Sequence, residues 1–276
     1  MSAVLSAAPA DHWTTLDRNR IHYQTSGGGS KAIVFVHGWG CDSTFWSQQV
    51  PAFEKRYRVV TLDLPGHGGS DQARLPYTIE LFADAVDAVL KDAQVNSAVL
   101  AGHSMGAAVI RQYLANHPAP VAGLVIADGT VYPNEGEAGV ERRKQRSAGF
   151  LVSLRAPDYK EHASKMIGSM FVEATQPQLR EQILAKMLAT PQHVLFSAMQ
   201  NLIGTRVWLE KQTTVPVLAI APANAKLPLG EKERIYLTHF RNLEFRTWEG
   251  AGHFLMMEQP KRFNEAVSRF LEKIGF

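Results

Sequence analysis

Cysteine is almost missing from this chain of 276 residues: Cys41 stands alone. An internal disulfide framework is therefore excluded, as is a zinc site of multi-cysteine spacing, so packing must hold the fold. So little thiol fits a reducing, cytoplasmic setting. Long apolar runs are also lacking; none approaches a membrane span, and no repeat or low-complexity tract is present. Met1 to Ala10 ends in Ala7-Ala8-Pro9-Ala10, faintly like a signal-peptidase site. It lacks a basic leader and has too short an apolar stretch, so it reads as a loose N-terminus, with export left open.

Charge of one sign is scarce as well. The 29 Lys and Arg against 26 Asp and Glu leave a formal charge of +3. Residues 135–212 carry 11 basic and 8 acidic residues, and the rest of the chain 18 of each, so the excess belongs to one segment. Its densest part, Arg142-Arg143-Lys144-Gln145-Arg146, reads as a solvated helix face. Nucleic-acid binding would need a broader basic surface interleaved with aromatics and is not expected.

What is present is apolar residue in quantity, 45% of the chain, enough for a large core. Two short strands, 12–18 and 21–25, read as an edge hairpin. Further strands follow at 31–36, 57–63, 98–101, 121–128, 215–221 and 243–248, those at 98–101 and 121–128 being nearly or wholly apolar. Between them lie helical patterns at 45–55, 78–92, 105–117, 231–240 and 259–274. Strands alternating with helices imply an α/β fold, a mostly parallel central sheet flanked by helices, with its ligand crevice beyond the carboxyl ends of the strands. From Val131 to Gln212 the alternation stops. Helices are expected at 139–155, 158–173, 177–189 and 191–210, punctuated by Pro157, Pro177 and Pro191, as an inserted helical cap over 131–212. The core then comprises 1–130 and 213–276. Four of the eight methionines, Met166, Met170, Met187 and Met199, fall in the insertion with Phe171, Phe196 and Trp208. Such a stripe is usually plain core, yet as a group it suits an apolar lid.

The most informative stretch is Ala98 to Ala107, a buried strand that stops at Gly102 and turns at once into a helix, with Ser104 at the bend. A serine hydroxyl is a poor nucleophile. It must be exposed, given a base, and provided with donors for the oxyanion it creates. The spacing Gly102-His103-Ser104-Met105-Gly106 meets the first need, since two glycines leave a strand-to-helix turn unobstructed, and the helix N-terminus lies under the developing charge. The same cluster out of context would be an ordinary turn; the apolar strand before it and the helix after it favour the catalytic reading. Met105 then offers its backbone N–H to an oxyanion.

Four segments in the right order resemble the α/β-hydrolase fold family, specifically its cap-bearing, esterase-like branch: His37-Gly38-Trp39-Gly40, Asp63 to Ser70, Gly102 to Gly106, and Gly252-His253 after the last strand. The likeness covers about residues 20–130 and 213–274. It implies Ser104 as nucleophile, His253 as general base, and the backbone N–H groups of Trp39 and Met105 as oxyanion donors. His37, His67 and His103 are expected to orient backbone. The third triad member departs from the family pattern. After the strand at 215–221 the family usually carries Gly-x-x-Asp, whereas this chain reads Ala221-Pro222-Ala223-Asn224-Ala225-Lys226. Some branches, similar to the haloalkane dehalogenases in this respect, take the acid from the end of the preceding strand, where Asp128 stands. Asp128 is also placed to be a turn or cap residue, and Asn224 or an acid-free Ser–His dyad are the alternatives.

These readings imply a serine carboxylic-ester hydrolase for small to medium apolar acyl esters. It would need no metal or organic cofactor and no nucleic acid, and has no membrane span; its partner is a small-molecule ester. C–C bond hydrolysis, perhydrolysis, acyl transfer, and a receptor-like binding role with negligible turnover are the other uses of such a site.

Overall fold

Apolar β-branched runs with no polar face can persist only in strands covered on both sides. The computed structural model, which describes residues 9–73, 76–118, 120–207, 212–223 and 230–276, places them at the centre of one eight-stranded sheet. The strands are β1 (Ala10–Leu16), β2 (Asn19–Ser26), β3 (Ala32–Val36), β4 (Arg58–Leu62), β5 (Ala98–His103), β6 (Val121–Ala127), β7 (Thr213–Pro222) and β8 (Phe240–Trp248). Their order is β1-β2-β4-β3-β5-β6-β7-β8. Pairing is parallel from β4 through β8 and antiparallel at β1/β2 and β2/β4. Every residue of β3 and β5 is buried. The expected edge hairpin is there, with Leu16 opposite Asn19 and both turn residues, Asp17 and Arg18, at positive φ. That is the twist a two-residue hairpin loop prefers.

The helices are α1 (Val50–Phe53), α2 (Ile79–Asp92), α3 (Met105–Asn116), α4 (Gly136–Ser153), α5 (Tyr159–Gly168), α6 (Pro177–Ala189), α7 (Gln192–Gly204), α8 (Glu231–Leu237), α9 (Leu255–Glu258) and α10 (Pro260–Lys273). Thr78 caps α2 by accepting from the Leu81 N–H. The helix expected over 45–55 is instead a 3-10 turn at Ser43–Trp46 followed by α1. Pro51 has no N–H to donate and is accommodated only near the start of a helix, so one continuous helix is barred. The helix expected to reach 173 stops at Gly168. Beyond it the Arg180 guanidinium collects the carbonyls of Val172, Glu173 and Thr175, holding those residues in turns. The basic run on α4 is only partly solvated: Arg143 is buried, donating to the carbonyls of Ile203 and Thr205 with its guanidinium over the Tyr132 ring. The expected extension of the last of these helices to 210, and Trp208 with it, falls partly outside the described residues. Among the described residues no helix is long and apolar enough to cross a membrane.

Strand order reverses between β4-β3 and β3-β5, and a crevice at such a point opens beyond the strand ends. The loops there are tied by a buried carboxylate. Asp63, one residue past β4, accepts from the Ser43 N–H (2.7 Å), the Gly69 N–H (2.8 Å) and His22 Nδ1 (2.8 Å). Burial alone would push this carboxyl up; the His22 hydrogen bond, the His37 ring and the two backbone donors outweigh it and hold it at about 2. At the far side, α10 turns Phe263, Ala266, Val267, Phe270 and Leu271 inward at helical spacing, with the Phe263 ring 6.0 Å from Trp46.

Two stability tests follow. Because Asp63 titrates lower when folded than when unfolded, its stabilising share is complete above the unfolded value near 4 and drains away as pH falls toward 2. Urea unfolding of wild type and Asp63→Asn should therefore show the stability gap narrowing by about 2 kcal/mol between about pH 5 and pH 2. A gap independent of pH would refute the assignment. Phe263→Ala should cost about 3–5 kcal/mol in the same assay at neutral pH.

Candidate active site

Ser104 alone makes the turn between β5 and α3, at φ 53° and ψ −115°, backbone that a residue with a side chain rarely adopts. Three hydrogen bonds of 3.1 Å hold it: its N–H donates to the Ala127 carbonyl, and its own carbonyl accepts from the N–H groups of Ala107 and Thr130. A Cβ on Gly102 would stand 2.5 Å from the Gly106 carbonyl oxygen, and one on Gly106 would stand 2.4 Å from that of Val36. Both positions must be glycine for the turn to close against β3. Met105 opens α3, so its N–H belongs to the first turn, where no intrahelical acceptor exists.

Trp39 lies in the turn after β3, and two buried imidazoles shape that turn. His37 Nδ1 donates to the Gly38 carbonyl (2.8 Å) while Nε2 accepts from the Leu64 N–H (2.9 Å). His67 Nδ1 donates to the Pro65 carbonyl, leaving Nε2 to accept from the Gly40 N–H. Each ring uses one nitrogen as donor and one as acceptor, the pattern of a neutral imidazole. Burial pushes both down, His67 to about 3. The Trp39 indole N–H donates to the Leu195 carbonyl (2.7 Å), joining this turn to α7.

His253 follows β8, and its Nδ1 lies 2.6 Å from Oδ2 of Asp128, the residue just past β6. A carboxylate can only accept, so Nδ1 carries a proton and Nε2 stands outside this bond. The other oxygen, Oδ1, accepts from the ammonium of Lys232 on α8. Asp128 sits at φ 39° with its N–H on the Ile220 carbonyl (2.8 Å). Burial would raise its carboxyl, but the His253 hydrogen bond and charge and the Lys232 ammonium overcome this and keep it at about 2. The His253 backbone is held from two sides. Its N–H donates to the Met170 carbonyl (3.1 Å), and its carbonyl accepts from His103 Nε2 (3.0 Å). The buried His103 ring, 4.7 Å from that of His253, is pushed by burial down to about 3.

Ser104, His253, Trp39 and His103 line one cavity of about 170 Å³. The four methionines of the insertion, Met166, Met170, Met187 and Met199, all line it too, with Leu202 and Phe254. Phe171 stands behind Phe254, and Phe196 lies instead beneath the Arg155 guanidinium. Thr130 and Tyr132, from the segment that follows β6, add polar atoms to the wall.

The structure thus brings together Ser104, His253, Trp39 and, through His253, Asp128, with Met105 at the foot of the same turn. Asn224 and Lys226 lie outside the described residues. Sequence reasoning missed Lys232. It stands in Glu231-Lys232-Glu233-Arg234, a run of alternating charge that looks like any solvated helix turn, and nothing local marks one of its side chains as reaching the turn after β6.

Comparison with known proteins agrees with this architecture. The chain is 26% identical to 3-oxoadipate enol-lactonase 2 of Acinetobacter baylyi over 92% of its own length and 94% of that protein's. Among solved structures it superposes on a thermophilic esterase from Thermogutta terrifontis with TM-score 0.80 and 25% identity, covering 97% of this chain and 99% of the other. It also superposes, at TM-score 0.79 and 26% identity, on an N-acyl homoserine lactone degrading enzyme, covering 94% of this chain and all of that one. The sequence profile of the alpha/beta hydrolase family matches residues 33–266, from β3 into α10, and the chain belongs to that family.

Proposed function

We propose that the protein is a serine carboxylic-ester hydrolase that works through an acyl-enzyme, with Ser104 as nucleophile, His253 as base and Asp128 as the acid. The observation that carries this reading is the His253 Nδ1 to Asp128 Oδ2 hydrogen bond of 2.6 Å, made by a histidine that lines the same cavity as Ser104. Nε2 takes the hydroxyl proton as Ser104 Oγ attacks the ester carbonyl. The Trp39 and Met105 N–H groups receive the oxyanion, His253 returns the proton to the leaving alcohol, and water then releases the acid by the same route. Asp128 keeps the imidazole in the required tautomer and stabilises its charged form. Ser104 needs its unusual backbone for this role, since the turn presents the hydroxyl at the tip of the sheet.

The segment 131–212 acts in this reading as a cap that sets the acyl pocket, over a core of 1–130 and 213–276. Its four thioethers and the volume of about 170 Å³ suit small to medium uncharged apolar acyl groups. The relatives named as lactonases favour including cyclic esters among the substrates, because opening a lactone uses the same attack and retains the alcohol on the product. Asp128 at the end of β6 takes the place of the acid missing after β7.

The direct test is a panel of p-nitrophenyl esters graded by chain length, with γ- and δ-lactones alongside. Short to medium esters should turn over and long-chain esters should not. Ser104→Ala should abolish turnover and stoichiometric labelling by an organophosphonate. Asp128→Asn, folded as judged by circular dichroism, should lose about three to four powers of ten in kcat. Near-normal turnover by either variant would remove that residue from the mechanism.

A further inference from the structure

Among the described residues two side chains donate to the Asp128 carboxylate, His253 and Lys232, and the serine mechanism uses only the first. Lys232 reaches Oδ1 from α8, a helix the chain inserts between β7 and β8. The same helix bonds the same turn a second time, the buried Tyr236 hydroxyl donating to the Gly129 carbonyl at 2.9 Å. Side-chain exposure is 11% for Asp128 and 25% for Lys232, so water screens their attraction weakly. An ion pair placed so close to a proposed base acts on its chemistry as well as on folding.

We propose that Lys232 is a positioning residue for the reaction proposed above: its ammonium fixes one oxygen of Asp128 while His253 holds the other, and it withholds part of the carboxylate's charge from the imidazole. Without the ammonium, the whole negative charge of Asp128 would bear on His253 and make the protonated ring easier to form. A protonated ring cannot accept the Ser104 proton. Lys232 therefore extends the working range of the base toward acid and aims the carboxylate through a bond that leaves Oδ2 to His253. The acid at the end of β6 thus depends on a helix that follows β7, the strand whose own end carries the acid in the usual family pattern.

Other ionisable groups around His253 do not duplicate this effect. His103, from β5, donates to the His253 carbonyl and is held neutral by burial. Glu258, from α9, accepts from the Gly252 N–H and from Thr175 Oγ1, and so faces the loop backbone. Tyr236 and Tyr132 are phenols raised by burial, uncharged wherever the enzyme would work. Among the described residues, Lys232 is the cation on Asp128.

The test compares full-length wild type, Lys232→Met and Lys232→Arg by two readouts. One is the side-chain ¹⁵N NMR titration of His253 in resting protein, assigned by its loss in His253→Gln. The other is the pH dependence of kcat/KM for p-nitrophenyl butyrate. In Lys232→Met both the NMR midpoint and the acidic limb should move up by about one pH unit, while Lys232→Arg should stay close to wild type. Methionine fills the space of the lysine stem, and a thermal melt checks that the fold survives. An unmoved midpoint, or an equal loss of rate at every pH, would make Lys232 mere structural support and overturn the proposal. The two readings fail separately: wild type without ester turnover sinks the proposed function, whereas the resting-state titration still decides whether Lys232 governs His253.

Discussion

The constraint on which the site depends is a close approach of backbones, the first turn of α3 against the end of β3, with no room for a methyl group at residue 106. That contact fixes the path of the chain through Ser104 and puts the α3 N-terminus beside the turn that carries Trp39. It also explains why a residue with a side chain tolerates positive φ here. Three backbone hydrogen bonds and two glycines over-determine a conformation that would otherwise relax, as strained functional turns require. Sheet order does the rest, since β3 and β5 are adjacent where the winding reverses and their outgoing loops must share one crevice.

Around that contact lies a layer of buried polar groups beyond the ends of the strands. His37, His67 and Asp63 hold loop backbone, each with its hydrogen-bonding atoms engaged, as buried polar groups must be if they are not to cost stability. His103 holds the backbone of His253 through Nε2 alone. Burial keeps these three histidines neutral, which separates them from His253, whose Nδ1 meets a carboxylate beside the cavity that Ser104 lines. The distinction is made by surroundings; the side chains are identical.

Much of this was legible beforehand because it rests on local rules. Apolar runs without alternation gave the covered parallel strands, the glycine spacing about Ser104 gave the strand-to-helix turn, and the order of four segments gave the family. The departure after β7 was legible too, since a missing acid can be read directly and Asp128 ends the neighbouring strand. Helix ends were less so. Past the end of α5 at Gly168 the carbonyls of Val172, Glu173 and Thr175 turn to Arg180, a partner no local pattern announces, and Pro51 matters only once the cap at Asp42 has begun a 3-10 turn. Arg143 looked like a member of a solvated cluster until the carbonyls of Ile203 and Thr205, sixty residues away, claimed it. Lys232 was invisible for the same reason: its partner is 104 residues distant, and no periodicity encodes such a pairing.

The four methionines on the cavity wall bring a property that branched side chains would not. Each has three freely turning torsions and a polarisable sulfur, so together they form a yielding surface in place of a mould. A pocket lined this way accepts guests by rearranging around them. Discrimination between guests that differ by one carbon should then be shallow, and sharper selectivity would have to come from the part of the wall that follows β6, where Thr130 and Tyr132 stand.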